Sequence, residues 1–77
     1  MNEYQLNLQT VNSETILSRV IETIKRRRIY ILSVHAEVCS SDDSTACMHI
    51  TVRADQEAKR LLVTQLDKIV EVIEITG

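Results

Sequence analysis

Leu32-Ser33-Val34-His35-Ala36-Glu37-Val38 and Ala46-Cys47-Met48-His49-Ile50-Thr51-Val52 alternate apolar side chains with polar or soft ones, the period of a strand with one buried face. Between them, Ser40-Ser41-Asp42-Asp43-Ser44 is turn composition. Two strands, about Tyr30 to Val38 and Thr45 to Ala54, therefore read as a hairpin. If Val34 stands opposite Ile50 and Ala36 opposite Met48, the same register sets His35 against His49 and Glu37 against Cys47 on the other face.

Outward from the hairpin, Tyr4, Leu6 and Leu8 alternate with Gln5, Asn7 and Gln9 and predict a first strand, with Tyr4 turned inward. Asn12 and Ser13 offer N-cap oxygens to a helix whose apolar stripe is Ile16, Leu17, Val20, Ile21 and Ile24, running to about Arg27. After the hairpin, Asp55 is placed to cap a second helix with Leu61, Leu62, Leu66 and Ile69 inward, and a closing strand spans Val70 to Thr76. Val70, Val72, Ile73 and Ile75 do not share one parity, which predicts a bend or bulge near Val72. The order βαββαβ predicts one α+β domain over residues 1–77, ferredoxin-like, with a four-stranded antiparallel sheet and two helices on one face.

A 77-residue chain buries only a thin core, so a partner is expected. In the usual strand order of this fold the second strand lies at an edge. Here its start, Tyr30, Ile31, Leu32 and Val34, carries neither proline nor charge to block pairing. Two copies joined along it would form a continuous eight-stranded sheet, so a homodimer is expected.

A net charge of −2 gives no reason to expect nucleic acid. The one basic block, Lys25-Arg26-Arg27-Arg28, falls where cations complement a helix C-terminus. An RNA-binding sheet would add stacking aromatics, and Tyr4 and Tyr30 are the only ones. No apolar run approaches the roughly 20 residues of a membrane helix, and Met1-Asn2-Glu3-Tyr4 does not begin a signal peptide. The chain is thus expected in the cytoplasm, without membrane contact, where Cys39 and Cys47 should stay reduced.

Imidazole and thiolate on one face raise the question of a metal, for which His35, Cys47 and His49, with Cys39 beside them, would be the donors. Such side chains are equally what the solvated face of an antiparallel sheet accepts. No Cys-x-x-Cys or His-x-His spacing pre-organises a site, so no metal is assigned. No nucleophile with a supporting base is evident, and Gly77, the only glycine, excludes a Gly-rich phosphate loop. No catalytic residue or resident cofactor is assigned to the chain.

Three stretches resemble a known family: Asn12-Ser13-Glu14-Thr15-Ile16-Leu17-Ser18-Arg19-Val20-Ile21, then Arg27-Arg28-Ile29-Tyr30-Ile31-Leu32-Ser33-Val34, then Gln65-Leu66-Asp67-Lys68-Ile69-Val70-Glu71-Val72. In this order and separation they are similar to the ACT domain of the acetolactate synthase small regulatory subunit, in its short, single-domain type. The resemblance implies a non-catalytic chain that dimerises through its sheet and activates a large subunit of branched-chain amino acid biosynthesis. Thiamine diphosphate, magnesium and FAD would belong to that large subunit. Family members often add feedback inhibition by valine, bound between the first loop and the start of the second strand, in the interface between two ACT domains.

Carried onto this chain, that pocket would involve Asn12, Thr15, Tyr30 and Ile31. Asn12 matches a ligand-binding asparagine. Thr15 stands where the family has a glycine and Tyr30 where it has an asparagine, so bulk enters the pocket and weak or absent valine binding is expected. Arg28 replaces a glycine that usually ends the first helix and must turn left-handed or end the helix otherwise. The alternative is a free-standing ACT sensor of some other amino acid, without an enzyme partner.

Overall fold

A computed structural model describes residues 1–77. The hairpin forms in the expected register, with Val34 opposite Ile50, His35 opposite His49, Ala36 opposite Met48 and Glu37 opposite Cys47. In chain order the elements are β1 (Asn2–Val11), α1 (Ile16–Arg26), β2 (Tyr30–Val38), β3 (Thr45–Ala54), α2 (Gln56–Asp67) and β4 (Val72–Thr76). They build one antiparallel sheet in the order β2-β3-β1-β4, so β2 is an edge. The α+β, ferredoxin-like βαββαβ architecture is as read from the alternation.

The core lies between the sheet and the helices. Leu6, Met48, Ile50 and Val52 from the two central strands meet Val20 and Ile24 of α1 and Leu62 and Leu66 of α2, all essentially inaccessible. Burying each such side chain contributes about 1.5–3 kcal/mol, but only 14 of 77 residues are buried. The helices cover the central strands and leave the edge bare. Val34 and Val38 face the helix side with Ile50 and Ala46, yet remain 41% and 46% exposed.

Two bulges refine the strands. Leu32 is the extra residue where the β2 register shifts, so Ile31, not Leu32, sits opposite Val52 and joins the core. A bulge reverses side-chain parity along a strand, which an unbroken alternation conceals. The parity conflict near Val72 has the expected cause: the β1–β4 register shifts between Gln9 and Thr10, and Ile73 is left over, 58% exposed. The closing strand begins at Val72 instead of Val70, which projects from the preceding turn at 93% exposure.

The helix stripes are narrower than expected. Ile16, Val20 and Ile24 are buried, while Leu17 and Leu61 lie on the helix flanks at 41% and 38% exposure. At α2, Asp55 caps as expected, its carboxylate accepting from the Ala58 N–H at 2.7 Å. At α1 the cap differs. Thr15 holds the cap position and no side chain closes it, because β1 extends to Val11 and leaves Asn12 and Ser13 in the turn off the strand. The Asn12 carboxamide donates instead to the Asp43 carbonyl at 2.8 Å, and the Ser13 hydroxyl is buried without a partner.

Arg27 caps the C-terminus of α1, and Arg28 follows with φ +56°. A left-handed non-glycine residue costs roughly 1–2 kcal/mol. It turns the chain so that Ile29, 8% exposed, enters the core just before β2.

Cys39 and Cys47 form a disulfide, contrary to the expectation of free thiols, with Cα atoms 5.8 Å apart. Cys39 lies one residue beyond the β2 ladder, its N–H donating to the Thr45 carbonyl at 2.9 Å. It shares the outer face with Cys47 and stands diagonally across from it. The hairpin register alone sets the two sulfurs within bonding reach.

Candidate functional site

The outer face of the sheet collects Gln5, Asn7, His35, Glu37, His49, Thr51 and Arg53. His35 and His49 stack with ring centroids 6.2 Å apart. His49 Nδ1 donates to the Asn7 carboxamide oxygen at 2.7 Å, which sets its tautomer. His35 Nε2 lies 3.6 Å from Glu37 Oε2. Arg53 reaches Glu3 at 3.3 Å. Cys47 is spent in the disulfide, and no three His, Cys, Asp or Glu side chains converge as metal ligands would. The imidazoles the sequence set side by side are thus partners of each other and of neighbouring carboxyl and amide groups.

Tyr4 is half-buried on the inner face, as its parity required, with the Lys59 ammonium 5.4 Å from its ring centroid. This cation–π contact caps one face of the partly exposed ring. Tyr30 is outward and 68% exposed, opposite Arg53.

The β2–β3 turn is tied by its own side chains. The Ser40 hydroxyl accepts from the N–H groups of Ser44 and Thr45, each at 3.0 Å. The Ser44 hydroxyl donates to Asp42 at 2.7 Å. That bond, with those of Ser40 and the Ser44 backbone, holds the Asp42 carboxyl below its ordinary range. Asp43 takes φ +60° and turns its carbonyl toward Asn12, whose N–H also donates to the Ser44 carbonyl at 2.9 Å. The first loop is therefore anchored to the hairpin turn. The Asp/Ser composition announced a turn; its grip on Asn12 had no local signal.

The four pocket candidates fall into two pairs. Asn12 and Thr15 follow β1 at the end of the sheet where Val11 meets Thr45. Tyr30 and Ile31 begin β2 at the opposite end, where Arg53 pairs with both Glu3 and Tyr30. Eight residue steps from Glu3 to Val11 separate the two ends by roughly 26 Å at about 3.3 Å per residue. One chain does not bring the pairs together.

A row of unpaired backbone N–H and C=O groups runs along the free side of β2. Beside it, Tyr30, Leu32, Val34 and Val38 are all at least 41% exposed. An edge that is both unsatisfied and apolar is chemically suited to receiving another strand.

Comparison with known proteins agrees with this architecture. The sequence profile of the ACT domain matches residues 12–75. No curated protein matches the chain at a significant level. Among solved structures, the acetolactate synthase small subunit from Thermotoga maritima superposes on 99% of this chain with a TM-score of 0.86 and 21% identity. The ACT domain of GTP pyrophosphokinase from Chlorobium tepidum covers 96% of it at 0.76 and 11% identity. A formyltetrahydrofolate deformylase from Pseudomonas putida KT2440 covers 99% at 0.73 and 12% identity. The chain spans 47% of the small subunit's length, 94% of the pyrophosphokinase ACT domain and 29% of the deformylase. With the profile running from the first loop through most of β4, the chain belongs to the ACT domain family.

Proposed function

We propose that this chain is a non-catalytic regulatory subunit that binds and activates an acetolactate synthase large subunit, the bearer of thiamine diphosphate, magnesium and FAD. The observation that carries this reading is the superposition of 99% of this chain on 47% of the acetolactate synthase small subunit, at a TM-score of 0.86 against 0.76 and 0.73 for the other two structures. The ordered resemblance of the stretches from Asn12, Arg27 and Gln65 supports it independently. Activation would consist of stabilising a competent large-subunit conformation by differential contact.

In this reading two copies pair antiparallel along β2. The two-fold then lays the Tyr30 end of one copy beside the Val38 end of the other, the end that also carries Asn12 and Thr15. A ligand pocket would draw one pair of residues from each copy. The Thr15 and Tyr30 side chains narrow it, and Asn12 is already committed to Asp43, so valine feedback is weak or absent.

The test is the acetolactate synthase activity of the cognate large subunit alone and mixed with this chain, with and without valine. Activation unaffected by valine is expected. Activation abolished by valine would keep the function and refute the pocket argument. Absence of both activation and complex would overturn the proposal in favour of a free-standing sensor of another amino acid.

A further inference from the structure

On the helix side of the molecule, the stripe that α1 turns toward α2 is Arg19, Thr23 and Arg26, spaced four and three residues apart. Such a stripe normally carries the apolar residues that seal two helices together. Here the apolar seal, Val20 and Ile24 with Leu62 and Leu66, lies deeper in the core, and an open groove of about 810 Å³ runs between the helices. Arg19 and Lys68 stand at one end, Arg26 and Arg27 at the other, with Leu61 and Ile69 along the α2 side. No carboxylate lines it. Arg19 is shared with Glu71, whereas Arg26, Arg27 and Lys68 make no ion pair. Four of the nine Lys and Arg side chains of an acidic protein are gathered in this one place.

We infer that this groove docks an acidic amphipathic segment of a partner protein. Two turns of α1 separate Arg19 from Arg26, roughly 10 Å at about 1.5 Å per residue. Carboxylates at a matching spacing would meet both cationic ends while an apolar side chain between them covers Leu61, 38% exposed, and Ile69. Nucleic acid fits less well. The apolar strip offers a phosphate backbone nothing, and no aromatic ring lines the groove for a base to stack on. The docking surface lies on the opposite layer from the outer sheet face and away from the β2 edge, so a homodimer leaves it free in both copies. In the regulatory reading, on which this last step rests, the segment belongs to the large subunit.

The test is fluorescence polarisation of two labelled peptides on the full chain at low ionic strength. One carries Glu and Leu at helical spacing; the other replaces each Glu by Lys. The acidic peptide should bind and the basic one should not. The combined Arg26→Glu, Arg27→Glu and Lys68→Glu substitutions should weaken binding at least tenfold. Arg53→Glu with Arg60→Glu, outside the groove, should leave it within twofold, with folding of both variants checked by circular dichroism. Equal binding by the triple variant, failure of the acidic peptide to bind, or tighter binding of a single-stranded oligonucleotide would each overturn the inference. Large-subunit association is measured alongside. If wild type binds the acidic peptide but not the large subunit, the regulatory reading fails and the groove stands. If the triple variant associates with the large subunit as well as wild type does, the large subunit is not the groove's partner.

Discussion

The two edges of the sheet are built on opposite rules. β4 has five residues, carries a bulge at Ile73, and is preceded by Glu71, whose carboxylate oxygens lie 2.8 Å and 3.0 Å from Arg19 Nη1. Short length, a bulge and nearby charge are the devices that keep an edge from recruiting another strand. β2 has nine residues, few of them charged, with its inward valines uncovered, and a disulfide holds its far end to β3. The contrast shows that openness at β2 is local. The chain closes one edge and leaves the other presentable.

Val34→Asp would break the contrast most strongly. It sets like charges across a two-fold on an apolar edge, and dimer affinity should fall at least hundredfold, about 2.8 kcal/mol, by analytical ultracentrifugation. Ile73→Asp on the closed edge should leave the association within twofold. Equal effects from both would mean that the edges do not differ.

Next in size is the staple. Reduction should add the mass of two hydrogens, and loss of a cross-link with sequence separation 8 should lower stability by about 2.5 kcal/mol, read as a shift in denaturant midpoint with and without reductant. Cys39→Ser with Cys47→Ser should show the same midpoint in both conditions. Free thiols in protein purified without reductant would remove the staple from the picture of β2.

The smallest effect belongs to the closed edge. Glu71→Gln should cost about 0.5 kcal/mol at low salt and nothing measurable at high salt, since Arg19 and Glu71 are partly exposed at 51% and 25%. A larger, salt-insensitive loss would mean that β4 depends on this pair for its pairing with β1.

What was legible in the sequence followed from period. The alternation from Leu32 to Val52 was enough for the hairpin register, because a slip of one residue would have exposed Ile50 and Met48. The parity conflict around Val72 pointed to the β4 bulge for the same reason. The β2 bulge left no trace, since Ile31 and Leu32 are both apolar and either could face inward. Asn12 read as a cap because cap chemistry and turn chemistry use the same side chains; only the fold brings Asp43 within its reach. The disulfide ran against expectation because the compartment rule outweighed the proximity that a turn between Cys39 and Cys47 allows. Of the candidate site, the exposed edge was readable, whereas the separation of Asn12 from Tyr30 is a property of strand direction that no local stretch contains.

That separation has a consequence for stoichiometry. In the dimer proposed above, a pocket assembled from the Asn12 end of one copy and the Tyr30 end of another would exist twice and never in a lone chain. A copy damaged at Asn12 and a copy damaged at Tyr30, when mixed, would form dimers with one site carrying both lesions and the other carrying none. Each mixed dimer would thereby hold one intact site of two, and random mixing of equal amounts would restore about a quarter of the sites that neither protein possesses alone.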